Sequence, residues 1–322
     1  MSHSRIYQFL SLAVVLTGCV ETIVMDPGED LPVMVNCILE SGEMGPQTLW
    51  LQYVKGKSAP EFIPITEAEV YLEYSYSGVK RRIDFMYVEG CVWETDSLTL
   101  IVAGTDYNLT VIIPGREVIT AQTSVPRHYS PSSSLNVKEG TIEWCLSDYN
   151  DEPSVPVWIF ASKGKHQTDE PASGRYTQLV TDNPYADDFN ISGQKFSDLE
   201  IEGKSDGEFL RQTWPAFKNM RRQYPDLPLH EGFIRIDHMD GKKFHLLAGP
   251  LKYKESFQDH FDFYFVPDDL DQYLRDVYVK DKGLDSDLTR IYSMENALSN
   301  INGGVGIFSG VFRDNRLFLV NY

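Results

Sequence analysis

The chain has 322 residues, with 29 Lys+Arg against 47 Asp+Glu and a formal net charge of −18 at pH 7. Hydrophobic residues at 42% and charged residues at 24% are the make-up of a globular chain and exclude wholesale disorder. The acidic excess argues against nucleic acid and against electrostatic adhesion to anionic lipid, because both need basic surface.

Met1–Arg5 is a short, weakly basic start, and Ile6–Leu16 is a mostly apolar run. That run falls short of the ~20 residues a spanning helix needs and suits the core of a signal peptide. It ends in Leu16-Thr17-Gly18-Cys19, which resembles the lipobox of bacterial lipoproteins. The resemblance implies cleavage before Cys19 and acylation of its thiol. Residues 1–18 are then a lipoprotein signal peptide, and residues 19–32 a tether interrupted by Pro27, Gly28 and Pro32. At about 0.8 kcal/mol per buried CH₂, several acyl chains make such an anchor effectively permanent. The mature chain keeps 304 residues, 28 basic against 47 acidic, and a net charge of −19.

From Val33 the pattern becomes β. Val33–Leu39 is an apolar run fit for a buried strand, and Thr48–Val54 follows it. Ala68–Tyr76 alternates Ala68, Val70, Leu72, Tyr74 and Tyr76 with more polar positions. Ser77-Gly78 then predicts a hairpin into Val79–Met86. Phe85–Trp93 is strand-like as well. Tyr107–Ile113 alternates up to the turn dipeptide Pro114-Gly115, and Val118–Val125 closes the set. Six or seven short strands without a helix, in roughly 95 residues, predict a β-sandwich over 33–126.

Pro126–Ser134, rich in Pro and Ser, is the best domain boundary, in keeping with about two domains for this length. Thr141–Leu146 and Val155–Ser162 read as strands, and 163–208 as polar loops with short pieces of structure. A helix is predicted over Trp214–Gln223, opened by Pro215. Phe233–Ile236, Phe244–Leu247 and Asp262–Val266 are strand-like. Pro267–Val279 carries Leu270, Tyr273, Leu274, Val277 and Tyr278 on one face behind Asp268 and Asp269, a strong helix pattern. Gly306–Ser309, Gly310–Phe312 and Leu317–Val320 read as paired terminal strands. The expected fold is mainly β, a sandwich followed by a β-rich domain over 127–322 with one or two short helices.

Catalytic signatures fail one by one. There is no H-E-x-x-H and no G-x-S-x-G. Ser77–Lys80 and Ser162–Lys165 match S-x-x-K but lie in turn-like sequence. Gly303-Gly304-Val305-Gly306 lacks the third phosphate-loop glycine and a following helix, so it reads as a backbone bend before a strand. Asp281, Asp285 and Asp287 lack the glycine and glutamate of a calcium loop. His230, His238, His245 and His260 are the densest histidines, but surface or hydrogen-bonded roles suit them better than a metal site. The expectation is no catalytic residues, no cofactor and no metal. No C-x-x-C is present. Cys37, Cys91 and Cys145 read as small buried hydrophobes, with a Cys37–Cys91 bridge as the competing reading.

Several segments together resemble a Bacteroidota outer-membrane lipoprotein family named as domain of unknown function 4249. They are Cys19 with Glu21, Val33–Leu39, Pro64-Ile65-x-x-Ala68-x-Val70 and Gly104-x-x-Tyr107-x-Leu109-x-Val111. Thr120-Ala121-x-Thr123-x-Val125-Pro126 and Asn300–Phe308 complete the ordered set. Residues 163–232 depart from the family pattern. The resemblance implies that the sandwich is immunoglobulin-like, and that the protein sits in the outer membrane facing the cell surface. It also implies an accessory role beside a TonB-dependent nutrient transporter, with no known catalytic residues. Glu21 and Asp26 supply the acidic positions after the cysteine that go with outward display in this group. Competing readings are a surface glycan- or peptide-binding lipoprotein and a fimbrial or adhesive subunit. No ligand, small-molecule or glycan, is named by the sequence.

Overall fold

The computed structural model describes residues 31–55, 61–129, 131–136, 141–146, 155–164, 174–175, 178–188, 190–198, 201–202, 221–237, 244–249, 251–252, 258–280 and 299–319. Cys19, most of the tether, most of the predicted helix Trp214–Gln223 and the Asp281–Asp287 segment lie outside these residues. Where the sequence alternates, strands form: β1 (Val33–Ser41), β2 (Thr48–Lys55), β3 (Glu61–Pro64), β4 (Glu69–Tyr76), β5 (Val79–Glu89), β6 (Val92–Glu94), β7 (Asp106–Ile112) and β8 (Ile119–Ser124). The short β3 and β6, at four and three residues, lack enough alternation to be read from sequence.

These strands make a β-sandwich. In β4, β7 and β8 the inward positions pair across the sheet, Leu72 opposite Leu109 and Val111 opposite Ile119. Burying each such side chain contributes about 1.5–3 kcal/mol. Ser77 and Gly78 both have positive φ, 51° and 77°, the turn geometry that lets β4 and β5 twist together. β5 pairs with β4 through Phe85 and with β6 from Met86 onward, so one strand passes from one layer to the other. At the start of β7 the buried Tyr107 hydroxyl accepts a hydrogen bond of 2.8 Å from the Val102 backbone N–H. This tyrosine corner is a recurrent brace of immunoglobulin-like sandwiches.

The second half supplies β9 (Pro131–Asn136), β10 (Thr141–Leu146), β11 (Val157–Gly164), β12 (Gly174–Arg175), β13 (Gln178–Thr181), β14 (Ile191–Lys195) and β15 (Ile201–Glu202). It continues with β16 (Pro228–Glu231), β17 (Phe233–Ile236), β18 (Phe244–Gly249), β19 (Leu251–Lys252), β20 (Gln258–Phe265) and β21 (Val305–Leu319). Helix α1 spans Asp268–Lys280, with Asp268, Asp269 and Asp271 in its first turn, where the helix dipole favours negative charge. The chain is mainly β, as its pattern predicts. The expected terminal strand pair is corrected: 305–319 is one unbroken strand of 15 residues.

That strand joins the two halves. Met34–Ser41 of β1 pairs in parallel with Val305–Phe312, and Gln258–Phe265 of β20 pairs antiparallel with Phe312–Leu319. The main sheet therefore runs β12-β11-β20-β21-β1-β2-β6-β5-β4-β7-β8, with β17 on β11 and β3 on β2. Gly306 is required where β21 meets β1. Its φ is +117°, and a Cβ there would lie 2.2 Å from the Val35 carbonyl oxygen.

Three cores result. The first packs Val35, Cys37, Leu49, Leu72, Trp93 and Leu109 inside the sandwich, joined by Ile301 and Phe308. The second packs β11, β17 and β20 against Leu179, Phe244 and Leu246 of the six-stranded sheet β14-β16-β13-β18-β10-β9. The third lays Leu270, Tyr273 and Leu274 of α1 on Trp158, Ile307, Val311 and Ile38. β1 is thus covered on both faces, which explains its continuous apolar run. The Pro- and Ser-rich stretch after Pro126 is held as well, because Tyr129 is buried and stacks on Phe265 with ring centroids 5.0 Å apart. Pro32–Tyr322 forms one compact unit.

A fragment of residues 32–126 leaves β1 without its β21 neighbour and removes Phe308 from the core. It should be aggregated or loosely packed by near-UV circular dichroism and urea unfolding. Fusing residues 299–313 to it through a flexible linker should restore one cooperative transition.

Candidate functional site

The four histidines singled out in the sequence are held separately or lie outside the described side chains. His245 Nδ1 is 2.7 Å from Asp182 Oδ2, and its backbone N–H donates to Asp182 Oδ1 at 2.6 Å. His230 Nδ1 lies 3.1 Å from Asn190 Oδ1. Because Asn190 Nδ2 donates to the carbonyls of Glu231 and Phe233, its oxygen is the acceptor, so Nδ1 of His230 carries the hydrogen. Burial drives the His230 pKa down to about 4, against the opposing pull of Asp187 and Asp188. The His238 and His260 side chains lie outside the described residues. Among those described, no three His, Cys, Asp or Glu side chains are placed to hold a metal ion.

Ser77 of one S-x-x-K match sits in the β4–β5 turn, and Lys165 of the other lies outside the described residues. Cys37 and Cys91 are free thiols, so the bridge reading is not realised between them. Burial raises both thiol pKa values, Cys37 far more than Cys91, which makes Cys37 a packing residue. The Cys145 side chain is outside the described set. Trp93 and Trp158 are buried and Trp50 is half-buried.

The densest electrostatic feature was not anticipated. Arg235, in the centre of β17, is 2% exposed. Its Nε and Nη2 fork onto Asp271 Oδ1 and Oδ2 at 2.7 and 2.6 Å, while Nη1 reaches Asp187 at 2.9 Å and Nη2 reaches Asp237 at 2.8 Å. Trp158 Nε1 donates to the same Asp271 Oδ1 at 2.8 Å. Burial alone would lower the Arg235 pKa. The hydrogen bond and charge of Asp271, followed by those of Asp237, reverse that and raise it. The sequence signal was an arginine inside the apolar F-I-R-I run, which needs buried carboxylate partners.

Two surfaces are open to other molecules. On the outward side of β4, β7 and β8, two adjoining hollows of about 430 and 610 Å³ meet over Asp106 and Asn108. The first is bordered by Glu73, Ser75 and Lys80. The second runs along Gln122–Ser124 to Pro267–Asp269 at the start of α1. Elsewhere, neighbouring backbone segments expose apolar side chains: Met44 is 66% exposed, Met86 61%, Val88 51%, Leu98 74% and Leu100 50%. These segments are tied together by the Met86–Glu94 pairing and by hydrogen bonds from Thr95 N to Gln47 O and from Gly45 N to Thr99 O, 3.0 Å each.

Asp271→Asn should lower stability by about 3–5 kcal/mol in urea unfolding, because it leaves a buried guanidinium short of its main counter-charge. For His230 the sign follows from a folded pKa below the unfolded one. Its contribution is complete above about pH 6.5 and is lost as pH falls through about 4. His230→Asn, which can keep the donor to Asn190, should flatten the stability loss over that interval.

No protein-family model matches the chain, and no curated protein matches it.

Proposed function

We propose that this protein is a non-catalytic accessory lipoprotein, held by an acylated Cys19 in the outer membrane and facing the cell surface. There it docks onto a TonB-dependent nutrient transporter. The lipobox resemblance and the ordered family-like segments favour the location. The observation that carries the docking role is the exposed set Met44, Met86, Val88, Leu98 and Leu100. Large apolar side chains gathered on adjoining segments suit a surface that a partner covers. The Asp96–Thr99 turn presents one of them: Leu98 N bonds to the Asp96 side chain at 2.8 Å and Thr99 N to the Asp96 carbonyl at 3.0 Å, leaving Leu98 the most exposed of the set. Methionine at two of the five positions suits an adaptable contact surface.

The occupant is an extracellular loop region of the transporter. The negative charge of the body disfavours direct adhesion to an anionic membrane surface, so contact is expected through the apolar set. Affinity purification from detergent-solubilised outer membrane should recover the transporter with the wild-type protein. Met86→Glu/Leu98→Glu should cut that recovery at least tenfold with a melting temperature within about 2 °C of wild type, since surface substitutions usually change stability by less than 0.5 kcal/mol. Recovery of the wild type as a lone monomer would overturn the reading. Cys19→Ala should release the protein from the membrane fraction.

A further inference from the structure

The outward face of the sandwich offers a second site, built from residues other than the apolar set. Its polar side chains stand in register across three strands. Asn108 of β7 lies opposite Glu73 of β4 on one side and Gln122 of β8 on the other. Gln122 Nε2 donates to Asn108 Oδ1 at 2.6 Å, leaving the Asn108 amide hydrogens and the Gln122 oxygen to face a ligand. One row along, Asp106 lies opposite Ser124 and accepts its hydroxyl hydrogen. The two hollows that meet over these rows make one trough from the β4–β5 hairpin to the start of α1.

We infer that this trough binds a short neutral oligosaccharide. Two features of the site select that class. Its volume falls in the usual range of small-ligand sites, about 300–1,000 Å³. Most of the described side chains that line it are amides, hydroxyls and carboxylates, which bond the paired donors and acceptors of sugar hydroxyls. The charges decide against acidic sugars. Glu73, Asp106, Asp268 and Asp269 border the trough, against the single cation Lys80 among its described lining. An unbranched apolar ligand finds no Leu, Ile or Phe among those lining residues.

This binding does not depend on the docking role. The test uses the purified full-length lipoprotein in detergent, titrated calorimetrically with maltohexaose, cellohexaose, xylohexaose and mannohexaose, and in parallel with polygalacturonate, calcium and an unstructured polar peptide. At least one neutral hexasaccharide should bind with a dissociation constant between roughly 10 µM and 1 mM. Asn108→Ala/Gln122→Ala should weaken that binding at least tenfold with the melting temperature within about 2 °C of wild type. Met86→Glu/Leu98→Glu should bind the sugar as wild type does, so loss of transporter docking and loss of sugar binding are separately visible. The inference is overturned if none of the neutral sugars binds at 10 mM, or if the double variant binds them equally well. Tighter binding of polygalacturonate, calcium or the peptide would overturn it too.

Discussion

The parallel pairing of β1 with β21 holds this architecture together. Eight residues of each strand run side by side, and the same fifteen-residue strand then turns its remaining edge to β20. Every later relationship depends on this join. It continues one main sheet through both halves, places Phe308 in the first core and Phe312 in the second, and sets Ile307 and Val311 under α1. The join tolerates little change. The Asn36 side-chain oxygen accepts the Ile307 N–H at 3.0 Å, and Gly306 sits where any side chain would strike the β1 backbone.

Charge performs a related task on the other side of the sheet. The apolar face of α1 rests on Trp158 and β21, but hydrophobic packing alone has no strong preference for one rotation or register. The forked contact between Arg235 and Asp271 does, because two parallel hydrogen bonds fix direction as well as distance. Asn300 adds a further tie, with its amide donating to Asp269 at 2.9 Å and to the Phe308 carbonyl at 2.7 Å. The start of α1 is thereby positioned to form one end of the polar trough. A buried structural network thus helps position one wall of a surface site.

Much of the first half was legible from sequence because one physical rule governs it: a half-buried strand alternates. β4, β7 and β8 follow that rule, and so does the Ser77-Gly78 hairpin. α1 was legible because its apolar stripe recurs at helical spacing behind Pro267. β21 was not, since its glycines at 306 and 310 imitate chain breaks. Gly306 is there for close approach to Val35 and Gly310 for close approach to Val125, whose side chain would lie 2.5 Å from a Cβ. The sites were less legible than the fold. Asn108, Gln122 and Asp106 are ordinary polar residues until β7 and β8 pair, and Asp271 is one of several acidic residues until Arg235 meets it. Sequence periodicity reports which way a side chain faces and is silent about which distant neighbour it faces.

The distance along the chain between β1 and its partner has a consequence for timing. Asn36 and Ile307 are separated by 271 residues, so the first strand cannot pair with its parallel neighbour until most of the chain is present. At roughly 5–20 residues per second of synthesis, that is a delay of roughly 15–50 s. Contacts of such high order form slowly, because loop closure costs entropy before any burial offsets it. During that interval the apolar edge of β1 is open to wrong partners. The fold therefore favours a chain kept unfolded until it is complete, and then closed from both ends at once.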